Sequence, residues 1–369
     1  MRPFLIMLAG AVLAPVLALA VTSSVHRDAD VPRYAHVFVI IDENKDYAAI
    51  LNAAYAPNIA SLAKRYGNAT AFYAEVHPSE GNYVALVGGN TFGIHDDDAY
   101  YCTPGMKNVH CEKSTRPGYV DHTVRAPSLA SQLERAGVPW KAYYESLPQP
   151  GSGAVVAGDP KFAPNAGVWE LYASKHSGFM NFADVQHDPA RAQRMVGFDQ
   201  LFSDLSSGQL PAFALIVPNQ CNDMHGLDPT DYTGPAANVP TDCNHHNQQG
   251  LIRRGDTMIA KLVSAIMQSS AWRSNGNAAI VLTFDEAGSD APGGCCGIQP
   301  GSLANFGGGH IPTLVITNHG PRGLSDATPY SHYSLLRTIE DAFGITNHLG
   351  HAADTNAGVQ PMVPLFRTH

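Results

Sequence analysis

Three apolar runs in this chain each end in acids. "HVFVII" at 36–41 leads into Asp42-Glu43-Asn44, and "PAFALIV" at 211–217 leads into "PNQCNDMHG", with Asp223 and His225. "AAIVLTF" at 278–284 leads into Asp285-Glu286. One such carboxylate is most simply a turn or helix-cap residue. Three sets converging on one place would repel one another unless a cation lay between them, so together they read as a metal site. A fourth stretch, "HPSEGNY" at 77–83, sets Ser79 just ahead of the apolar run "VALVGGN". In the plainer reading Ser79 caps a helix, Glu80 favours its positive end and Asn82 lies on its surface. In the chemical reading the helix start binds an anion such as phosphate. Ser79, a weak nucleophile alone, would then be activated by the cation at the strand ends, and Asn82 would donate its amide to an oxygen of that anion.

The elements that must position these residues are legible as a pattern. The runs at 36–41, 211–217, 278–284 and 312–317 are near-continuously apolar, as parallel strands covered on both faces are. Between them lie amphipathic stretches at 57–67, 126–137, 250–272 and 331–344. Strand alternating with helix predicts a three-layer α/β/α sandwich with a mainly parallel central sheet. In such sheets ligands bind beyond the C-terminal strand ends, where the acids stand. The stretches 91–125, 219–248 and 287–309 are polar, rich in Gly or Asn, and hold all six cysteines; they are expected to wall the site. The "RGD" at 254–256 falls inside an amphipathic helix, which argues against an adhesion loop, and Asn68-Ala69-Thr70 is a glycosylation sequon.

Composition narrows the class. The chain has 369 residues, 44% hydrophobic and 15% charged, with a net charge of −9, which speaks against broad attraction to nucleic acid or anionic membranes. Seventeen histidines nudge towards a metal or acid–base site. The N-terminus reads as a signal peptide over 1–20, with an apolar run ending in Ala18-Leu19-Ala20. A leader at 21–35 and one catalytic domain at 36–369 complete the expected organisation. Export places Cys102, Cys111, Cys221, Cys243, Cys295 and Cys296 in an oxidising compartment. Cys102–Cys111 and Cys221–Cys243 are plausible loop staples, and Cys295-Cys296 pair with each other or elsewhere.

The order of "DENKDY", "HPSEGNYVALVGGNTFG", "PNQCNDMHG", "RRGD", "TFDEAG" and "SHYSLLRTIEDAFG" resembles the phosphoesterase family within the alkaline phosphatase superfamily. The likeness is closest to short secreted bacterial and fungal acid phosphatases, and extends to phosphocholine-type phospholipases C. It implies an alkaline phosphatase-like fold, with Ser79 as nucleophile and Asn82 contacting phosphate. Glu43, Asn44, Asp285 and Glu286 match the metal ligands, with Asp42 beside them, and His225 matches the active-site histidine, with Asp223 beside it. Asp256 and His332 match less closely and are read as ligands, supporting partners or helix caps. Gly81 departs from the family, which usually has proline there.

The expected function is a secreted or periplasmic metal-dependent phosphatase acting on phosphomonoesters through a phosphoserine on Ser79. His225 or His77 would protonate the leaving oxygen. One divalent cation per chain is expected: the oxygen donors suit Ca, Mg or Mn, and Zn or Fe if histidines join. The partner would be a small phosphorylated substrate or a phospholipid headgroup, with no nucleic acid and no stable membrane insertion once the signal is cleaved. The alternatives are a phospholipase C-type phosphodiesterase and a non-catalytic secreted metal- or glycan-binding protein.

Overall fold

The structure, a computed structural model, describes residues 30–51, 54–97, 121–158, 169–273, 276–288, 293–296 and 307–367. The expected signal peptide at 1–20, residues 21–29 of the leader, and Cys102 and Cys111 lie outside them. Eight strands share one sheet: β1 (His36–Asp42), β2 (Gly67–Ala69), β3 (Trp140–Tyr144), β4 (Met195–Val196), β5 (Phe213–Val217), β6 (Ala278–Phe284), β7 (Thr313–Thr317) and β8 (Leu324–Asp326). Their spatial order is β8-β2-β7-β6-β1-β5-β3-β4. Every position of β5, β6 and β7 is buried, as is every position of β1 except His36, so the sheet is covered on both faces.

All neighbouring strands pair in parallel except those flanking β7, which runs antiparallel to both β6 and β2. The apolar character of 312–317 suggested a parallel strand; burial on both faces holds, direction does not. A parallel return needs a crossover, and the described residues between β6 and β7 contain no helix. The strand β3, "WKAYY", escaped the sequence pattern because Lys141 interrupts its aromatic residues.

Six longer helices accompany the sheet: α1 (Pro57–Arg65), α2 (Glu80–Gly88), α3 (Leu129–Arg135), α4 (Phe198–Ser207), α5 (Gln248–Gln268) and α6 (His332–Phe343). They fall into two packed groups, α1 and α4 with α5, and α3 and α6 with α2. The predicted stretch 250–272 stops early as one helix: Ser269 leaves helical geometry, and a separate turn follows at Ser270–Arg273. "RGD" lies within α5, with Asp256 buried. Asn68 of the sequon is buried in β2, its amide donating to the Tyr47 hydroxyl at 2.8 Å, so a glycan there would require unfolding this part of the sheet.

Candidate active site

Register assembles the acids. In the β1–β6 pair Asp42 stands opposite Phe284, so the chain leaves both strands at one level and delivers Asp42-Glu43 beside Asp285-Glu286. Three bonds lock the strand ends: Asp285 N–H to the Asp42 carbonyl (3.0 Å), Glu43 N–H to the Asp223 carbonyl (2.8 Å), and Asn44 N–H to Asp285 Oδ1 (2.9 Å). Asn44 makes that last bond from the left-handed region (φ 54°), a conformation Asn tolerates better than most side chains.

Ser79 occupies the N-cap position of α2, yet its side chain makes no cap bond. The hydroxyl turns instead to Glu43 Oε2 (3.1 Å) and Glu286 Oε1 (3.4 Å), almost fully buried. The orphan N–H groups of the helix start are therefore not consumed by Ser79, although Asp97 Oδ1 accepts from Glu80 N–H at 3.1 Å. Gly81 has a packing reason: a Cβ there would lie 2.6 Å from the Ile94 carbonyl oxygen and 2.6 Å from Val76 Cγ1. Asn82 is fully buried and ties down the segment before the nucleophile. Its Oδ1 accepts from Glu75 N–H (2.9 Å) and Val76 N–H (3.1 Å), and its amide donates to the Val76 carbonyl (2.8 Å). Two residues before Ser79, His77 Nδ1 stands 2.7 Å from Glu286 Oε2.

Glu43 faces two ways. Its Oε2 meets Ser79 and the Asn44 amide (3.0 Å), while Oε1 accepts from the Tyr83 hydroxyl (2.7 Å) and stands 3.1 Å from His176 Nε2. His176 stacks on Tyr83 (5.3 Å between rings), and its Nδ1 lies 3.6 Å from Asp223 Oδ2. His225 packs against His176 at 5.6 Å, and its Nδ1 meets the Gly226 carbonyl at 2.7 Å. One ligand atom from each of Glu43, His176 and His225 lies within 4.8 Å of the others. The segment carrying His176 closes on α2 through Gly178 (φ 67°), where a Cβ would fall 2.7 Å from the Tyr83 carbonyl oxygen. Beside it Lys175 Nζ pairs with Asp97 Oδ2 at 2.8 Å. His176, Lys175 and Asp97 carry no local sequence signal, since "ASKHSG" has no periodicity and contributes a turn. Tyr83 stood within the motif already singled out.

The electrostatics ask for a cation. Burial first, then neighbouring carboxylates, hold Asp42, Glu43 and Asp223 well above the usual carboxyl range. Burial likewise raises Asp285, and pushes Glu286 up to about 8. Asp42 Oδ1 and Oδ2, Asp223 Oδ2 and Asp285 Oδ2 are buried and meet no hydrogen-bond donor among the described residues. Clustered, orphaned oxygens fit a divalent cation that would compensate them. Burial lowers His225 to about 3 and His176 well below its ordinary value, so both stand as neutral imidazoles. Burial opposes the charge on Lys175, but Asp97 and Glu43 outweigh it and raise the group.

The less secure candidates stand further out. Asp256 accepts from Asn58 N–H (3.2 Å), the Asn58 amide (2.8 Å) and Ile59 N–H (2.8 Å), satisfying the first turn of α1 from α5. His332, fully buried, bridges Glu75 Oε2 (2.5 Å) and the Phe284 carbonyl (2.8 Å), bracing the strand end before Asp285. His245 and His246 sit on the exposed loop, His246 3.7 Å from Asp228. Cys221–Cys243 and Cys295–Cys296 are bonded.

This fold sets a buried serine among strand-end carboxylates, an oxygen-rich arrangement whose charge a divalent cation would compensate. The model of the phosphoesterase family matches residues 50–346, and the chain belongs to that family. It is similar to the phosphatidylinositol-3-phosphatase of Mycobacterium tuberculosis, 29% identical over 85% of this chain and 78% of that protein. An acid phosphatase of Aspergillus fumigatus is 26% identical over 82% of this chain and 53% of its own length, so this chain spans about half of that relative. At the level of fold it resembles the PsFucS1 sulfatase from Pseudoalteromonas sp., at 13% identity over 91% of this chain and 72% of that one, TM-score 0.50. The protein is thus a phosphoric ester hydrolase on an α/β sandwich with a mainly parallel central sheet.

Proposed function

We propose that the protein is an exported, metal-dependent phosphatase that cleaves phosphomonoesters through a phosphoserine on Ser79. One observation carries this reading: the Ser79 hydroxyl turns from the helix it begins towards Glu43 and Glu286. Ser79 Oγ attacks phosphorus, the leaving oxygen departs in line, and water later displaces the phosphoryl group from the serine. Glu43, Asn44, Asp285 and Glu286 would hold one divalent cation, which when bound supplies Lewis-acid stabilisation of the alkoxide. An oxygen-rich set favours Ca²⁺, Mg²⁺ or Mn²⁺.

Lys175 places positive charge near the transferring oxygens, held by Asp97. Asn82 shapes the turn that presents Ser79. His77, paired with Glu286, donates the proton to the leaving group. Monoester preference is supported by the phosphatase names of the relatives. Export is supported by the disulfides and the N-terminal pattern, and no described helix is long and apolar enough to cross a membrane.

The test is hydrolysis of p-nitrophenyl phosphate and p-nitrophenyl phosphorylcholine side by side, before and after chelation and metal add-back. Metal-dependent cleavage of the monoester alone is expected. Preference for the choline diester would move the protein to the phospholipase reading, and inactivity of folded, metal-supplied protein on both would overturn catalysis altogether.

A further inference from the structure

A cavity of about 160 Å³ adjoins the nucleophile through three residues already placed in the site, Asp97, Lys175 and His225. Asp97 reaches the N–H of the residue after Ser79, and His225 packs on His176, which contacts Glu43. A larger cavity, of about 530 Å³, is bounded by Trp169, Phe202 and Arg254 and contains none of these residues. Of the two, the smaller shares residues with the site around Ser79. Its volume is of the order of a single sugar or cyclitol ring.

Its walls have two chemical characters. Gln220, Ser174 and Tyr232 offer hydrogen bonds to hydroxyls. The charges are unbalanced: among the described lining residues the carboxylates of Asp97, Asp228 and Asp231 face one ammonium, Lys175, which Asp97 already pairs at 2.8 Å. Outside that lining, His246 stands 3.7 Å from Asp228. A leaving group bearing its own phosphates would set a dianion against this carboxylate rim, whereas a neutral polyol would meet only hydrogen-bonding partners.

We propose that this cavity binds the leaving group and selects neutral, polyhydroxylated alcohols over polyphosphorylated ones. The inference rests on the phosphatase reading above. The test compares kcat/KM for fructose 6-phosphate and fructose 1,6-bisphosphate, which share a ring and differ by one phosphate, on the metal-loaded enzyme. The monophosphate should be favoured by about tenfold or more at low ionic strength, and the ratio should shrink towards unity as salt rises to about 0.5 M. Asp231→Lys and, separately, Asp228→Asn should each lower the ratio severalfold. Equal kcat/KM for the two substrates at low salt, or a ratio that neither salt nor either variant moves, would overturn the charge filter while leaving the phosphatase reading intact. No turnover of any monoester, p-nitrophenyl phosphate included, would overturn both.

Discussion

Binding of a divalent cation should be coupled to release of protons, because the carboxyls that would hold it are raised by burial. Glu286 gives the magnitude. With its carboxyl pushed up to about 8, roughly one molecule in a hundred has it ionised at pH 6 and about half at pH 8. If the cation binds only the ionised form, apparent affinity should rise about 50-fold across that interval from this group alone. Glu43 and Asp285 are raised as well and can only steepen the dependence.

The stability of the cation-free protein runs the other way. A carboxyl raised in the fold contributes stability that is present below its unfolded value and lost as pH climbs through about 8, so cation-free protein should melt lower at pH 8 than at pH 6. Added Mn²⁺ should restore more of that loss at the higher pH. The assay is calorimetric titration of chelated protein with Mn²⁺ at pH 6 and pH 8, each in two buffers of different ionisation enthalpy, with Glu286→Gln alongside. The variant should flatten the pH slope. An affinity that changes less than about fivefold between the two pH values would refute the reasoning, since the buried oxygens would then not be the ligands.

Ser79→Ala should lower kcat by roughly 10³-fold or more while the same protein retains its fold and bound metal; near-normal turnover, or a phosphoryl adduct still seen by intact mass, would remove Ser79 as nucleophile. Asp256→Ala strips three bonds from the first turn of α1 and should cost about 1–3 kcal/mol in urea unfolding, with kcat close to that of the parent. His332→Gln leaves Glu75 as a buried charge without its partner and should cost about 3–5 kcal/mol by the same measurement. Burial opposes the charge on His332 but Glu75 raises the group, so the difference between parent and variant should shrink as pH rises through that raised value.

The sequence by itself determined what periodicity and strand-end chemistry can determine. Four apolar runs predicted core strands because a segment buried on both faces must be apolar at every position, and the acids following three of them pointed to one sheet edge. Ser79 was legible because a hydroxyl in an unusual setting, "HPSEGNY", precedes an apolar helical run. Tertiary structure decided what depends on where chain segments meet. Whether Ser79 caps its helix or faces carboxylates is a matter of side-chain direction, set by the β1–β6 register and by the close approach at Gly81. The direction of β7 was decided by its connection, which no apolar pattern encodes. Asp256 and His332 sit in conspicuous motifs, yet their bonds lead to α1, Glu75 and Phe284. His176 and Lys175 join the site from a short turn, 97 and 96 residues beyond Ser79 in the chain, counting from their positions. Nothing local marks such residues, because a turn held by its contacts has no period to read; tertiary contacts, among them the packing of Gly178 against α2 and the Lys175–Asp97 pair, put them there.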